Sequence, residues 1–166
     1  MATMLEKTER LIVRRLRADD LERVIALDAK IVGRARGKFF EQVLERNLRE
    51  TGIQASLAAE LDGLFAGYLL AHAYYGEFGT LEPVAVLESF SVHPDFRHQG
   101  VGTALLRQLV LNLRGLGLDK LRTEVDWRDL ALLGFFHDAG FVPAPRLLLE
   151  RDLSREPRGR SAREPG

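Results

Sequence analysis

Between Arg97 and Thr103 the chain reads RHQGVGT, and the spacing Arg-x-x-Gly-x-Gly sets a guanidinium and two bare backbone positions ahead of the helical stripe Leu105, Leu109, Leu113. A helix N-terminus leaves backbone N–H groups without partners and carries the positive end of the helix dipole. Glycine lets an anion approach those groups, and Arg97 can add a charge-assisted contact. The stretch therefore suits a phosphate or diphosphate; a glycine-capped strand-to-helix turn is the plain alternative. Two well-known phosphate loops fail on chemistry. No lysine follows Gly102, as a P-loop requires, and Leu105 occupies the third glycine position of a dinucleotide-binding turn.

A second chemical candidate lies nine residues upstream of Arg97. In VAVLESFSV, strict alternation puts Val84, Val86, Glu88, Phe90 and Val92 on one side of a strand. A carboxylate in an apolar row is either a paired structural charge or a functional one. Partial burial raises its pKa and makes it a better proton acceptor near neutral pH. His72, in strand-like sequence between Tyr68 and Tyr74, is a rival base, or else a rim histidine.

Composition bounds the elements that position these groups. The chain has 166 residues, 46% hydrophobic and 29% charged, with zero formal net charge. At this length roughly 70% of the unfolded surface can be buried, enough for one core. With no cysteine and only four scattered histidines, disulfides, thiolate nucleophiles and Cys-ligated zinc are excluded, and no metal site is expected. Zero net charge does not indicate nucleic acid as a partner. No apolar run reaches the ~20 residues of a membrane span, and no signal-peptide core is present, so no membrane association and a cytoplasmic setting are expected. Periodicity and turn residues predict β-α-α-β-β-β-α-β-α-β. The hairpin turns at Asp62-Gly63, and FVPAPRLLLERDL, residues 141–153, supplies the last extended segment.

The residues Val92, His93 and Pro94, followed by Arg97, Gly100 and Gly102, resemble the first signature of the GNAT acetyltransferase superfamily, a strand ending V-x-P and then Arg/Gln-x-x-Gly-x-Gly/Ala. LGFFHDAGF, residues 133–141, is similar to its second signature, A-x-x-L-Y-x-x-x-G-F. The order of elements from residue 10 to about 152 matches as well. The resemblance implies an α/β fold, the GNAT acyl-CoA N-acyltransferase fold, with a central, mostly antiparallel twisted sheet flanked by helices. It implies a single domain over 1–153 and a disordered tail over 154–166.

It further implies N-acetyl transfer from acetyl-CoA to a primary amine by direct attack in a ternary complex. Backbone N–H groups from Arg97 through His98, Gln99, Gly100, Val101 and Gly102 to Thr103 would hold the diphosphate. The strand edge at Phe90, Ser91 and Val92 would pair with the pantetheine arm, in a gap where this strand splays from the next, about 119–126. Asp129 stands where many members have an asparagine near that arm, and Phe136 stands at the thioester where the usual general acid is a tyrosine. Glu88 matches the place of a catalytic glutamate in some members. Arg34, Arg36 and Tyr74 fall where acceptors are covered in this fold; the arginines suit a carboxylate or phosphate, whereas Glu77 and Glu82 suit a cationic amine. The expected partner is a small-molecule amine or a protein amino group (N-terminal or lysine), with a possible homodimer through the last strands. A catalytically weak acyl-CoA sensor is the alternative that Phe136, with no proton to give, favours.

Overall fold

Asp62 and Gly63 both have positive φ, 50° and 80°, the geometry that turns one strand tightly back on the next. They join β2 (Leu57–Leu61) to β3 (Leu64–Tyr74) at the centre of the sheet. In this computed structural model, residues 11–34, 36–49, 55–74 and 82–154 are described. The remaining elements are β1 (Leu11–Arg15), α1 (Leu21–Val32), α2 (Gly37–Arg49), β4 (Val84–Val92), α3 (Val101–Gly115), β5 (Leu121–Thr123) and α4 (Leu130–Asp138). Five strands stand in the order β1-β2-β3-β4-β5. The first three pairings are antiparallel and β4–β5 is parallel. This is the mixed, helix-flanked sheet expected from the sequence.

The two faces of the sheet carry different helices. Tyr68 and Leu70 of β3 join Ala58, Leu16, Val24 and Leu27 of α1, and Phe40 and Val43 of α2 in one buried cluster. Phe40 meets Tyr68 edge to face, ring centroids 6.1 Å apart. On the opposite face α3 buries Val101, Leu105, Leu106, Leu109 and Leu113. Its close approach depends on Gly67, where an added Cβ would lie 2.7 Å from the Ser91 carbonyl oxygen and 3.3 Å from both Val101 and Leu105 side chains.

Two buried carboxylates fix the entry and exit of α1. Asp20 accepts hydrogen bonds from both terminal nitrogens of Arg14, at 2.7 and 2.8 Å, and from the Arg17 N–H at 2.8 Å. Arg14 also donates to Glu60, tying β1 and β2 to the start of the helix. Burial pushes the Asp20 carboxyl up, but the Arg14 and Arg17 hydrogen bonds and the arginine charges outweigh it and hold the group below its ordinary value. A depressed folded-state pKa gives stability that is present above the unfolded pKa and lost as pH falls through the folded one. Asp20→Asn is therefore expected to cost about 1.5–3 kcal/mol near neutral pH. The difference from wild type should shrink as acid enters the carboxylate range, as urea unfolding at a series of pH values would measure; a constant difference would refute the ionic account.

The polypeptide divides into two compact units, with the boundary between Asp129 and Leu130. In the second, Phe136 is buried and packs against Phe135 and Phe141, centroids 5.5 and 4.9 Å away. The last strand expected over 141–153 is absent: these residues have no regular secondary structure. Pro143 and Pro145 have no N–H to donate, so no ladder can run through them. The suggested tail beyond Ser154, residues 75–81 with Tyr75 and Glu77, and residues 1–10 lie outside the described residues. No described helix is long and apolar enough to cross a membrane.

Candidate active site

β4 pairs with β5 over only three rungs, Ala85↔Leu121, Val86↔Arg122 and Leu87↔Thr123. The Thr123 hydroxyl donates to the Leu87 carbonyl at 3.0 Å and closes the last rung. Beyond that point β5 ends while β4 runs on to Val92, so the strands part where the sequence suggests a gap.

Glu88 is the first residue past the parting. Against β3, Leu87 faces Ala71 and Ser89 faces Leu70, so Glu88 is an extra residue, a β-bulge. The bulge corrects the alternation expected for this strand. Val84, Val86 and Glu88 share a face with Tyr74 and His72, but Phe90 and Val92 do not. After the bulge Ser89 and Ser91 occupy that face, opposite Leu70 and Tyr68, while Phe90 and Val92 pair with Leu69 and Gly67 toward α3. A bulge consumes one residue without a partner, and a period of two then changes phase. The adjacent polar residues Glu88 and Ser89 are its trace in the sequence.

On the α1/α2 side, therefore, three polar side chains converge. His72 Nδ1 lies 3.4 Å from Glu88 Oε2, with about a quarter of each side chain exposed (25% and 21%). That nitrogen is buried and makes no well-formed hydrogen bond among the described residues. The His72 ring stands 5.4 Å from that of Tyr74. One step toward the interior, the Tyr68 hydroxyl is 3.3 Å from Ser89 Oγ, and burial pushes the phenol up despite its hydrogen bonds to Ser89 and Ser91.

The far end of β4 enters a short 3₁₀ turn, Pro94–Phe96, and then the glycine stretch. His98 and Gly100 both take positive φ, 61° and 80°. The Gly100 carbonyl accepts the Ala104 N–H at 2.9 Å as the first α3 bond, and space beside Gly100 is open to at least 4 Å. Arg97, His98, Gln99, Gly100 and Thr103 are exposed, while Val101 turns its side chain into the core and offers only its backbone. His93, just before the turn, accepts from Lys30 Nζ at 3.2 Å, a tether between α1 and the end of β4 that sequence spacing could not reveal.

The acceptor candidates fare differently. Arg34 is exposed beyond the α1 cap at Gly33. Arg36 is bound to the buried Asp28 through two nitrogens, the Nε contact at 2.8 Å, and lies over the Phe39 and Phe40 rings, 5.3 and 5.4 Å from their centroids. Its fork is thus directed at closing the α1–α2 loop. Asp129 donates its N–H to the Asp126 carbonyl at 2.8 Å in the turn that ends the first unit, and Phe136 belongs to the second. No group of three or more His, Asp or Glu side chains able to hold a metal occurs among the described residues.

An acetyltransferase (GNAT) family profile matches residues 23–141, most of the chain and both glycine-bearing signatures. The chain belongs to the GNAT acetyltransferase family. Solved structures with the same fold include the aminoglycoside N-acetyltransferase AAC(6')-Iy in complex with CoA. It is 19% identical with a TM-score of 0.75, over 90% of this chain and 99% of that one. A transcriptional regulator from Bacillus halodurans C-125 matches at 17% identity and TM-score 0.73, over 87% and 100% of the two chains. A ribosomal-protein-alanine N-acetyltransferase from Brucella melitensis biovar Abortus 2308 matches at 16% and 0.69, over 86% and 99%. At such identities the likeness is one of fold, and this GNAT chain's chemistry has to be argued from its own residues.

Proposed function

We propose that this GNAT protein is an acetyl-CoA-dependent N-acetyltransferase for a small-molecule primary amine, with Glu88 as the general base. One observation carries the reading: a partly exposed carboxylate sits at the bulge where β4 and β5 part, on the same strand that leads into the open glycine turn. About four residues of strand, roughly 13 Å, separate Glu88 from the end of β4, so one strand links an anion-holding end to a proton-accepting end.

The residues fit a diphosphate. Gly100 has no side chain to block approach, the first amides of α3 are unmatched within the helix, and Arg97 and His98 are exposed beside them. Backbone from Phe90 to Val92, past the last β5 rung, orients an extended arm along the gap. When bound, the coenzyme thioester supplies an activated acetyl group. Glu88 accepts the proton that an ammonium acceptor must lose before it can attack, directly or through one water. His72 stands against the carboxylate and restricts its rotamer, and Tyr74 lines the acceptor side. Exposed Arg34 contacts an anionic substituent on the acceptor, whereas Arg36 acts through the shape of the α1–α2 loop. No acid is required at Phe136, because thiols with pKa near ~8.5 leave tolerably as thiolates.

The solved neighbours include enzymes named for amine acceptors of two kinds, aminoglycosides and a ribosomal-protein alanine, which supports an amine acceptor here. A binding module without turnover is the second reading, favoured by Phe136 at the usual tyrosine position. Titration calorimetry with acetyl-CoA, followed by thiol release over a panel of amines and peptides, separates them. Heat with product from small amines is expected. Heat with product only from peptides moves the acceptor to protein, heat without product favours the sensor, and no heat overturns both readings.

A further inference from the structure

The second unit ends in a row of uncovered leucines. Leu147, Leu148, Leu149 and Leu153 are 71–88% exposed, and Leu130 on α4 of the same unit is 75% exposed. Together they present on the order of several hundred Å² of aliphatic surface, more than scattered surface residues give a monomer. Among the described residues, the backbone groups of Leu147 through Arg151 have no hydrogen-bond partner. An unpaired backbone carrying apolar side chains is a template for another strand. Pro143 and Pro145 cannot donate, and the Arg146 N–H is turned back onto the Ala144 carbonyl at 2.8 Å, so pairing is confined to the chain from Leu147 onward.

The charges around the leucines select the occupant. The stretch reads Arg146-Leu147-Leu148-Leu149-Glu150, with opposite charges equidistant from Leu148. We propose that it pairs with the same stretch of a second copy of this chain, antiparallel and centred on Leu148. A twofold axis there sets Leu147 opposite the partner's Leu149 and Arg146 opposite the partner's Glu150, and repeats both contacts by symmetry. Parallel in-register pairing would instead set arginine on arginine and glutamate on glutamate. An unrelated partner would need to supply this complement, whereas a second copy carries it by construction. The exposed leucines of α4 add to the roughly 800 Å² per subunit that a stable dimer buries.

Sedimentation of the full chain at micromolar concentration, with circular dichroism to confirm folding, tests the pairing. A dimer is expected. Arg146→Glu and Glu150→Arg, each alone, should weaken it by roughly ten-fold, since every swap makes two like-charge contacts. The double exchange should restore it. Leu148→Lys, which sets two ammonium groups on the axis, should give a folded monomer. A monomeric wild type overturns the proposal. So does a dimer indifferent to the single swaps, or one the double exchange fails to rescue.

Discussion

Glu88→Gln is expected to lower kcat by roughly 10²–10⁴-fold, the range lost when a positioned general base is removed. Glutamine keeps the size and one acceptor oxygen of glutamate, so the bulge and the acetyl-CoA affinity should be nearly unchanged. The limb of the rate profile that reports base ionisation should vanish. His72→Gln, measured beside it, decides between the paired residues. If His72 serves as the base, its variant carries the larger loss; if it only restricts the carboxylate, the loss is modest and the shape of the pH profile survives. Equal rates for Glu88→Gln and wild type across about pH 6 to 9 would remove Glu88 from the mechanism.

Gly100→Val is expected to weaken acetyl-CoA binding by about ten- to hundred-fold for each amide–phosphate hydrogen bond it prevents, as hydrogen bonds to charged groups contribute about 1.5–3 kcal/mol. Its Cβ enters the open space at the mouth of α3. The residue also holds φ at 80°, where a branched side chain is strained by roughly 1–2 kcal/mol. That strain should lower Tm by only about 2–8 °C. Calorimetry and thermal unfolding together distinguish the two effects. A binding loss no greater than the stability loss would show that the turn does not hold the anion.

What could be read from the sequence was what local rules govern. Asp62-Gly63 had to turn, because few residue pairs tolerate two positive φ values in succession. The leucine stripe of α3 and the glycines ahead of it follow from helical period and end chemistry. The bulge at Glu88 was harder, because it is a relation between two strands. Alternation assumes an unbroken register, and only the juxtaposed Glu88 and Ser89 betrayed the slip. Arg36 was misleading for a related reason: an arginine in a loop looks like a ligand for substrate until the buried Asp28 eight residues earlier comes into contact with it. The last segment failed by a third route. Its composition is that of a strand, but a strand needs a neighbour, and composition does not say in which molecule the neighbour lies.

The phase change in β4 implies an unusual sensitivity to length. Deleting any one residue between Leu87 and Ser89 would cancel it, rotating Phe90 and Val92 toward the tyrosine layer and Ser89 and Ser91 toward the leucines of α3. Substitutions in this segment are local accidents, whereas a single-codon loss re-sorts everything downstream as far as the glycine turn. Homologous sequences should accordingly vary here in letter and hold constant in count.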